Sequence, residues 1–154
     1  MLNRGNTVQL RSRTARVAAS TVLTLAGIAG YSLATAPTAS AATYGCNGSQ
    51  IDSWDNTYGG TTYATTYLFW DGTNNCVAAV KRGSYYGVKT RIAVQAWTDK
   101  DGYVNGDDGS YLYYASWTFK GKGRCIAVET DVWNKSGSNI IQDHVPGNGY
   151  FHCG

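Results

Sequence analysis

The ten residues from Ser110 to Phe119 read Ser-Tyr-Leu-Tyr-Tyr-Ala-Ser-Trp-Thr-Phe, and an extended backbone puts Tyr111, Tyr113, Ala115, Trp117 and Phe119 on one face. No apolar stripe of helical period can be drawn through them, whereas aromatic residues in alternation suit the half-buried surface of a sheet. Lys120-Gly121-Lys122-Gly123 supplies a glycine-rich turn, and Arg124 to Thr130 returns with Ile126 and Val128 opposed to Cys125 and Ala127. This pattern predicts a β-hairpin with a cysteine on its return arm.

The same reading runs along the rest of the chain. Thr43 to Asp55 holds a short alternating piece around Ile51 and Trp54, and residues 56–61, with Gly59-Gly60, read as a loop. Thr62 to Trp70 is rich in strand formers, Asp71 to Asn75 carries the residue chemistry of a turn, and Cys76 to Arg82 returns as the second arm of a hairpin. Val88 to Thr98 alternates most regularly. Val88, Thr90, Ile92, Val94, Ala96 and Thr98 form its core face, and Lys89, Arg91, Ala93, Gln95 and Trp97 form the other. Asp99 to Gly109 is expected to be a polar, acidic tip, and Ile140-Ile141 a last short strand. Short strands punctuated by frequent turns predict one all-β domain, a small antiparallel sandwich or barrel.

Residues 1–41 change the picture of the whole. Arg4, Arg11, Arg13 and Arg16 precede an uncharged, mostly apolar or small run from Val17 to Ala34, and Ala39-Ser40-Ala41 provides a small-x-small cleavage pattern. This is the layout of a secretory signal peptide, and it leaves residues 42–154 as the exported domain. The formal charge of +3 falls to about −1 once those four arginines depart. The electrostatic case for nucleic acid or an anionic membrane surface departs with them.

All four cysteines, Cys46, Cys76, Cys125 and Cys153, lie in the exported part, and an even count in a small secreted domain reads as two disulfides. Three pairings are open. The favoured one nests Cys76–Cys125 inside Cys46–Cys153, which would tie the ends of the domain together. The cysteines are too widely spaced for the close ligand pairs of a zinc site, and no metal or other cofactor is expected.

Candidate chemistry is sparse. Asp99, Asp101, Asn105, Asp107 and Asp108 crowd one segment, but Tyr103 and Val104 stand where a helix-loop-helix calcium loop needs an oxygen ligand and a glycine. A solvated acidic tip is the preferred reading over a looser cation site. Glu129 and Asp131 share a strand face and could in principle pair as acid and base, yet no nucleophile or metalloenzyme motif accompanies them. The chain is therefore read as a non-enzyme. Five tryptophans and a tyrosine-rich composition furnish either a core or a binding surface. Tyr85, Tyr86, Trp97 and Tyr113 are the candidate binding residues.

Several segments carry a resemblance: Cys46-x-x-Ser49-x-Ile51-Asp52-Ser53, Tyr67-Leu68-Phe69-Trp70 with Asn74-Asn75-Cys76-Val77, Gly87-Val88-Lys89-Thr90, Asp108-Gly109-Ser110-Tyr111-x-Tyr113-Tyr114-Ala115, Gly123-x-Cys125-Ile126 and the ending His152-Cys153-Gly154. Together these resemble the small secreted spore-associated protein A family of filamentous sporulating bacteria. The resemblance implies an exported protein found with spores or aerial growth, and brings no catalytic residues with it. The expected function is binding at the cell or spore surface through exposed aromatic rings. The partner would be a cell-wall or spore-surface glycan or an extracellular protein. A carbohydrate-binding module is one alternative. The other is an inhibitor of an extracellular hydrolase that presents the 99–109 segment as a rigid loop.

Overall fold

The computed structural model describes residues 43–154; the expected signal peptide, residues 1–41, lies outside them. The domain is all-β, as the alternation predicts. Eight strands form two antiparallel sheets of four, with β1 (Ser49–Tyr58), β2 (Thr61–Trp70), β3 (Asn74–Lys81) and β6 (Tyr114–Lys120) side by side in that order in the first. The second runs β5 (Gly102–Tyr111), β4 (Thr90–Thr98), β7 (Ile126–Trp133) and β8 (Asn139–Val145).

Alternation decides what lies between the sheets. Leu68, Val77, Ala79, Ala115 and Phe119 of the first sheet meet Ile92, Val94, Ala96, Ile126, Val128 and Val132 of the second, all buried. The predicted core face of β4 is thus correct from Thr90 to Thr98. A polar thread crosses this apolar layer. Thr66 donates to Asn56 Oδ1 at 2.7 Å, the Thr66 and Thr130 hydroxyls lie 2.7 Å apart, and Asn56 Nδ2 donates to Asp143 Oδ2 at 2.8 Å. Buried polar groups are tolerated where each finds a partner, and this thread satisfies them across β1, β2, β7 and β8.

The β2–β3 hairpin forms as predicted. Asp71 Oδ1 accepts the amides of Thr73 and Asn74 at 2.8 and 2.6 Å, so one carboxylate supplies the hydrogen bonds of the turn. The amide and side chain of Asn74 hold Asp71 below the ordinary carboxylate value.

Four expectations are corrected. The hairpin predicted around Lys120–Gly123 does not exist, because β6 pairs with β3 while β7 lies between β4 and β8 in the opposite sheet. The glycine-rich link carries the chain from one sheet to the other, and both arms had a buried face available for different partners. The supposed acidic tip at Asp99–Gly109 is mostly strand β5, paired with β4 from Gly102 to Tyr111, and the turn is confined to its first residues. Main-chain pairing with β4 outweighs the poor strand propensity of its aspartates and glycines. Strand β1 runs on through Asn56 to Tyr58, and β8 is seven residues long where only Ile140-Ile141 was expected.

The disulfide pairing is the fourth correction. The bridges are Cys46–Cys76 and Cys125–Cys153, each within one sheet's own neighbourhood, and not the nested pair. Cys46 and Cys76 are buried with Phe69 and Ala78 on the outer face of the first sheet, where the Tyr44 ring stacks on Tyr67 at 5.4 Å. Cys125 sits beside the two-way backbone bridge between Ile126 and Phe151, which brings Cys153 to it. The ends of the domain are therefore anchored separately, one to each sheet. The first anchor depends on Gly48. Its φ is +90°, and a Cβ there would stand 2.1 Å from the Trp70 carbonyl oxygen.

Candidate functional site

Nine large apolar side chains are exposed among the described residues, and five of them, Tyr86, Tyr111, Leu112, Tyr113 and Tyr114, gather where β5 passes into β6. Here the chain leaves the second sheet and enters the first. The crossing explains the exposure, because three successive carbonyls turn inward and each is taken by a donor. Tyr111 O accepts from Lys81 Nζ at 2.7 Å, Leu112 O from the Gly87 amide at 2.9 Å, and Tyr113 O from the Lys81 amide at 2.8 Å. With the backbone held from inside, the side chains of this arc point to solvent.

Tyr111, Leu112, Tyr113 and Tyr114 line a groove of about 540 Å³ with Lys89, Asp107 and Ser110, and Tyr86 stands beside it against Tyr113. The Tyr86 and Tyr113 rings meet at 4.9 Å between centroids, and Tyr114 stands edge-on to Tyr44 at 5.7 Å. Asp107 organises the polar side. Its Oδ1 accepts the Tyr111 hydroxyl at 2.7 Å, and its Oδ2 accepts the Ser116 amide at 3.0 Å. The latter bond also occupies a main-chain donor on the free edge of β6, which would otherwise invite another strand. That hydrogen bond from its own hydroxyl to Asp107 pushes the Tyr111 phenol above its ordinary value. The Tyr111 ring lies across Gly109, where a Cβ would come within 2.7 Å of it.

Lys81 is the least expected part of the site. It is fully buried at the end of β3, on the face that Val77 and Ala79 turn to the core. Its ammonium donates to the carbonyls of Val88, Thr90 and Tyr111 at 3.0, 2.7 and 2.7 Å and contacts Thr90 Oγ1 at 2.7 Å. No carboxylate forms an ion pair with it among the described residues, and burial lowers its pKa to about 8.

The four candidate binding residues divide among three places. Tyr113 lines the groove, and Tyr86 packs its ring against Tyr113 at the groove's side. Tyr85 turns away, half-buried, with its ring edge-on to Tyr63 at 5.4 Å. Trp97 lies on the outer face of the second sheet, half-buried between Tyr103 at 5.3 Å and His144 at 5.4 Å. Beside it, Gln95 Nε2 lies 3.4 Å from Glu129 and 3.3 Å from Asp131, and His144 Nδ1 stands 3.8 Å from Glu129. Asp131 is buried, which raises its pKa, and it also accepts from Asn139. The predicted carboxylate pair is thus real as a neighbourhood, but its inner member is closed off from solvent.

The crowded acids of 99–109 are dispersed. Asp99 accepts the Cys125 amide, Asp101 pairs with Arg124, and Asp108 takes a two-pronged bond from Arg91 at 2.8 and 2.6 Å. No group of three metal-ligating side chains is found among the described residues. The segment that the inhibitor reading presents as a rigid loop is a turn at residues 99–101 followed by strand β5 from Gly102. Tyr111, Leu112, Tyr114, Lys89 and Asp107 were not anticipated in the site. One signal for them was present: Tyr111 to Tyr114 is four large residues in a row, which a strand with one face in solvent cannot bury.

The two disulfides fit an oxidising compartment, and no helix among the described residues is long and apolar enough to cross a membrane. No protein-family model, curated protein or solved structure matches the chain significantly.

Proposed function

We propose that this is a secreted, non-enzymatic domain of the cell or spore surface that binds a glycan chain in the tyrosine groove. The observation that carries the reading is the gathering of four of the nine exposed large apolar side chains on one held backbone arc, with Tyr86 packed against it and Lys89, Asp107 and Ser110 at the rim. Tyrosine rings present an apolar face and a polar edge, which suits a sugar ring with a C–H face and a hydroxyl rim. Lys89 and Ser110 add donors, and Asp107 adds an acceptor. Because the arc is fixed before any ligand arrives, little ordering entropy is lost on binding. The two disulfides support an extracellular setting.

The test is retention of the purified oxidised protein on insoluble chitin, peptidoglycan and isolated cell and spore walls. Saturable retention is expected on at least one of them, with loss in a Tyr86→Ala/Tyr113→Ala variant that unfolds like the wild type. Absence of retention on every material would overturn the glycan reading.

A further inference from the structure

Among the described residues Lys81 is the only charged side chain with no exposed surface, and the groove's contacts do not use it directly. We propose that Lys81 is the positioning residue of the tyrosine groove, its ammonium setting the shape of the binding arc from beneath. The proposal rests on the glycan reading for its ligand but on geometry for its substance. Lys81 holds the arc at both ends, through its own amide to Tyr113 O and through Nζ to Tyr111 O. The same Nζ takes the carbonyls on either side of Lys89, at Val88 and Thr90, so that it joins the arc to the opposite wall of the groove. Four oxygens compete for three protons, and every one of them belongs to a residue in or next to the groove.

An aliphatic side chain would close the end of the core with less desolvation cost, since a buried ammonium without a carboxylate is expensive to keep. What it could not do is gather carbonyls from two strand ends at one point. The other charged and titratable groups nearby point elsewhere. Arg82 reaches out to Thr65 and Tyr67, Asp107 is held by Tyr111 and Ser116, and Lys89 and the Tyr111 and Tyr113 rings face the groove. Loss of one proton leaves two donors for the same four oxygens, so at least one carbonyl is released and turned against the amine lone pair.

The arc is therefore expected to loosen as pH rises through about 8, the value at which burial places this lysine. The experiment follows affinity for the glycan retained above, at pH 6.5 to 9.5, in the wild type, Lys81→Met and Thr90→Val. Wild-type affinity should fall about tenfold across this range. Lys81→Met, if folded, should bind weakly at every pH, and Thr90→Val, which removes one acceptor from the ammonium, should move the midpoint to lower pH. A ligand-free arm keeps the proposal testable should no glycan be retained or Lys81→Met fail to fold. In the wild type, amide exchange at Gly87 and Lys81, corrected for intrinsic rates, should speed up over the same window relative to β4 and β7. Flat affinity and unchanged relative exchange from pH 6.5 to 9.5 would overturn the proposal, as would a folded Lys81→Met protein that binds like the wild type.

Discussion

The hydroxyls of Thr66 and Thr130 meet 2.7 Å apart in the middle of the sandwich, one from each sheet. Thr66 also donates to Asn56, so replacing it with valine leaves Asn56 Oδ1 without its donor and Thr130 without its neighbour. An unsatisfied buried group costs about 1 to 3 kcal/mol, and Thr66→Val should lower stability by that amount in urea unfolding. Thr66→Val/Thr130→Val should cost less than the two single changes together, because the second removes a group that the first left stranded. Strict additivity would mean that the two hydroxyls are not coupled.

The bridges Cys46–Cys76 and Cys125–Cys153 each close a loop of similar length, 30 and 28 residues apart in sequence. By loop entropy each contributes about 3.5 kcal/mol, so removing either pair by serine should give comparable losses in stability. Proteolysis of the unreduced protein followed by mass spectrometry should return one peptide pair containing Cys46 with Cys76 and one containing Cys125 with Cys153. A pair joining Cys46 to Cys153 would contradict the fold.

Tyr113 and Trp97 separate two surfaces that composition alone had merged. Tyr113→Ala should weaken retention on the bound glycan about tenfold, since one stacked ring is removed from the groove. Trp97→Ala, on the outer face of the second sheet, should leave that retention within about twofold, beyond any change that its packing against Tyr103 and His144 makes to stability. Equal losses from both would place the ligand on the sheet face instead.

Asp52 and His152 join β1 to the C-terminal segment at 2.8 Å. The hydrogen bond with His152 holds the Asp52 carboxyl below its ordinary value of 3.8, against the opposing effect of partial burial. A pKa lowered by folding gives stability that is present above the unfolded value and is lost as pH falls through the folded one. Thermal unfolding from pH 5 to 2 should therefore be less acid-sensitive in Asp52→Asn than in the wild type, with the difference confined to the region below about pH 4. Parallel curves would show that this pair does not contribute to acid stability.

Local pattern determined what local physics governs. Alternation in Thr62–Trp70 and Val88–Thr98, with a turn between Trp70 and the returning Cys76–Arg82, reports a sheet, so the all-β class, the first hairpin and most of the core face of β4 were legible in the sequence. Asp71 marked its turn because its carboxylate reaches amides two and three residues on. The even set of cysteines announced two bridges.

Which elements meet was decided only by the tertiary structure. Two strands joined by a short link can pair with each other or part to opposite sheets. β6 and β7 part because β3 on one side, and β4 and β8 on the other, offer each a partner of matching burial. The disulfide pairing follows that choice. The groove was hidden for a related reason: Tyr111 to Tyr114 changes sheets halfway, so the phase of its alternation breaks and all four side chains emerge into solvent. Lys81 reads in sequence as an ordinary solvated end of a strand. Only the convergence of Val88, Thr90 and Tyr111 carbonyls from distant positions makes burying its ammonium possible.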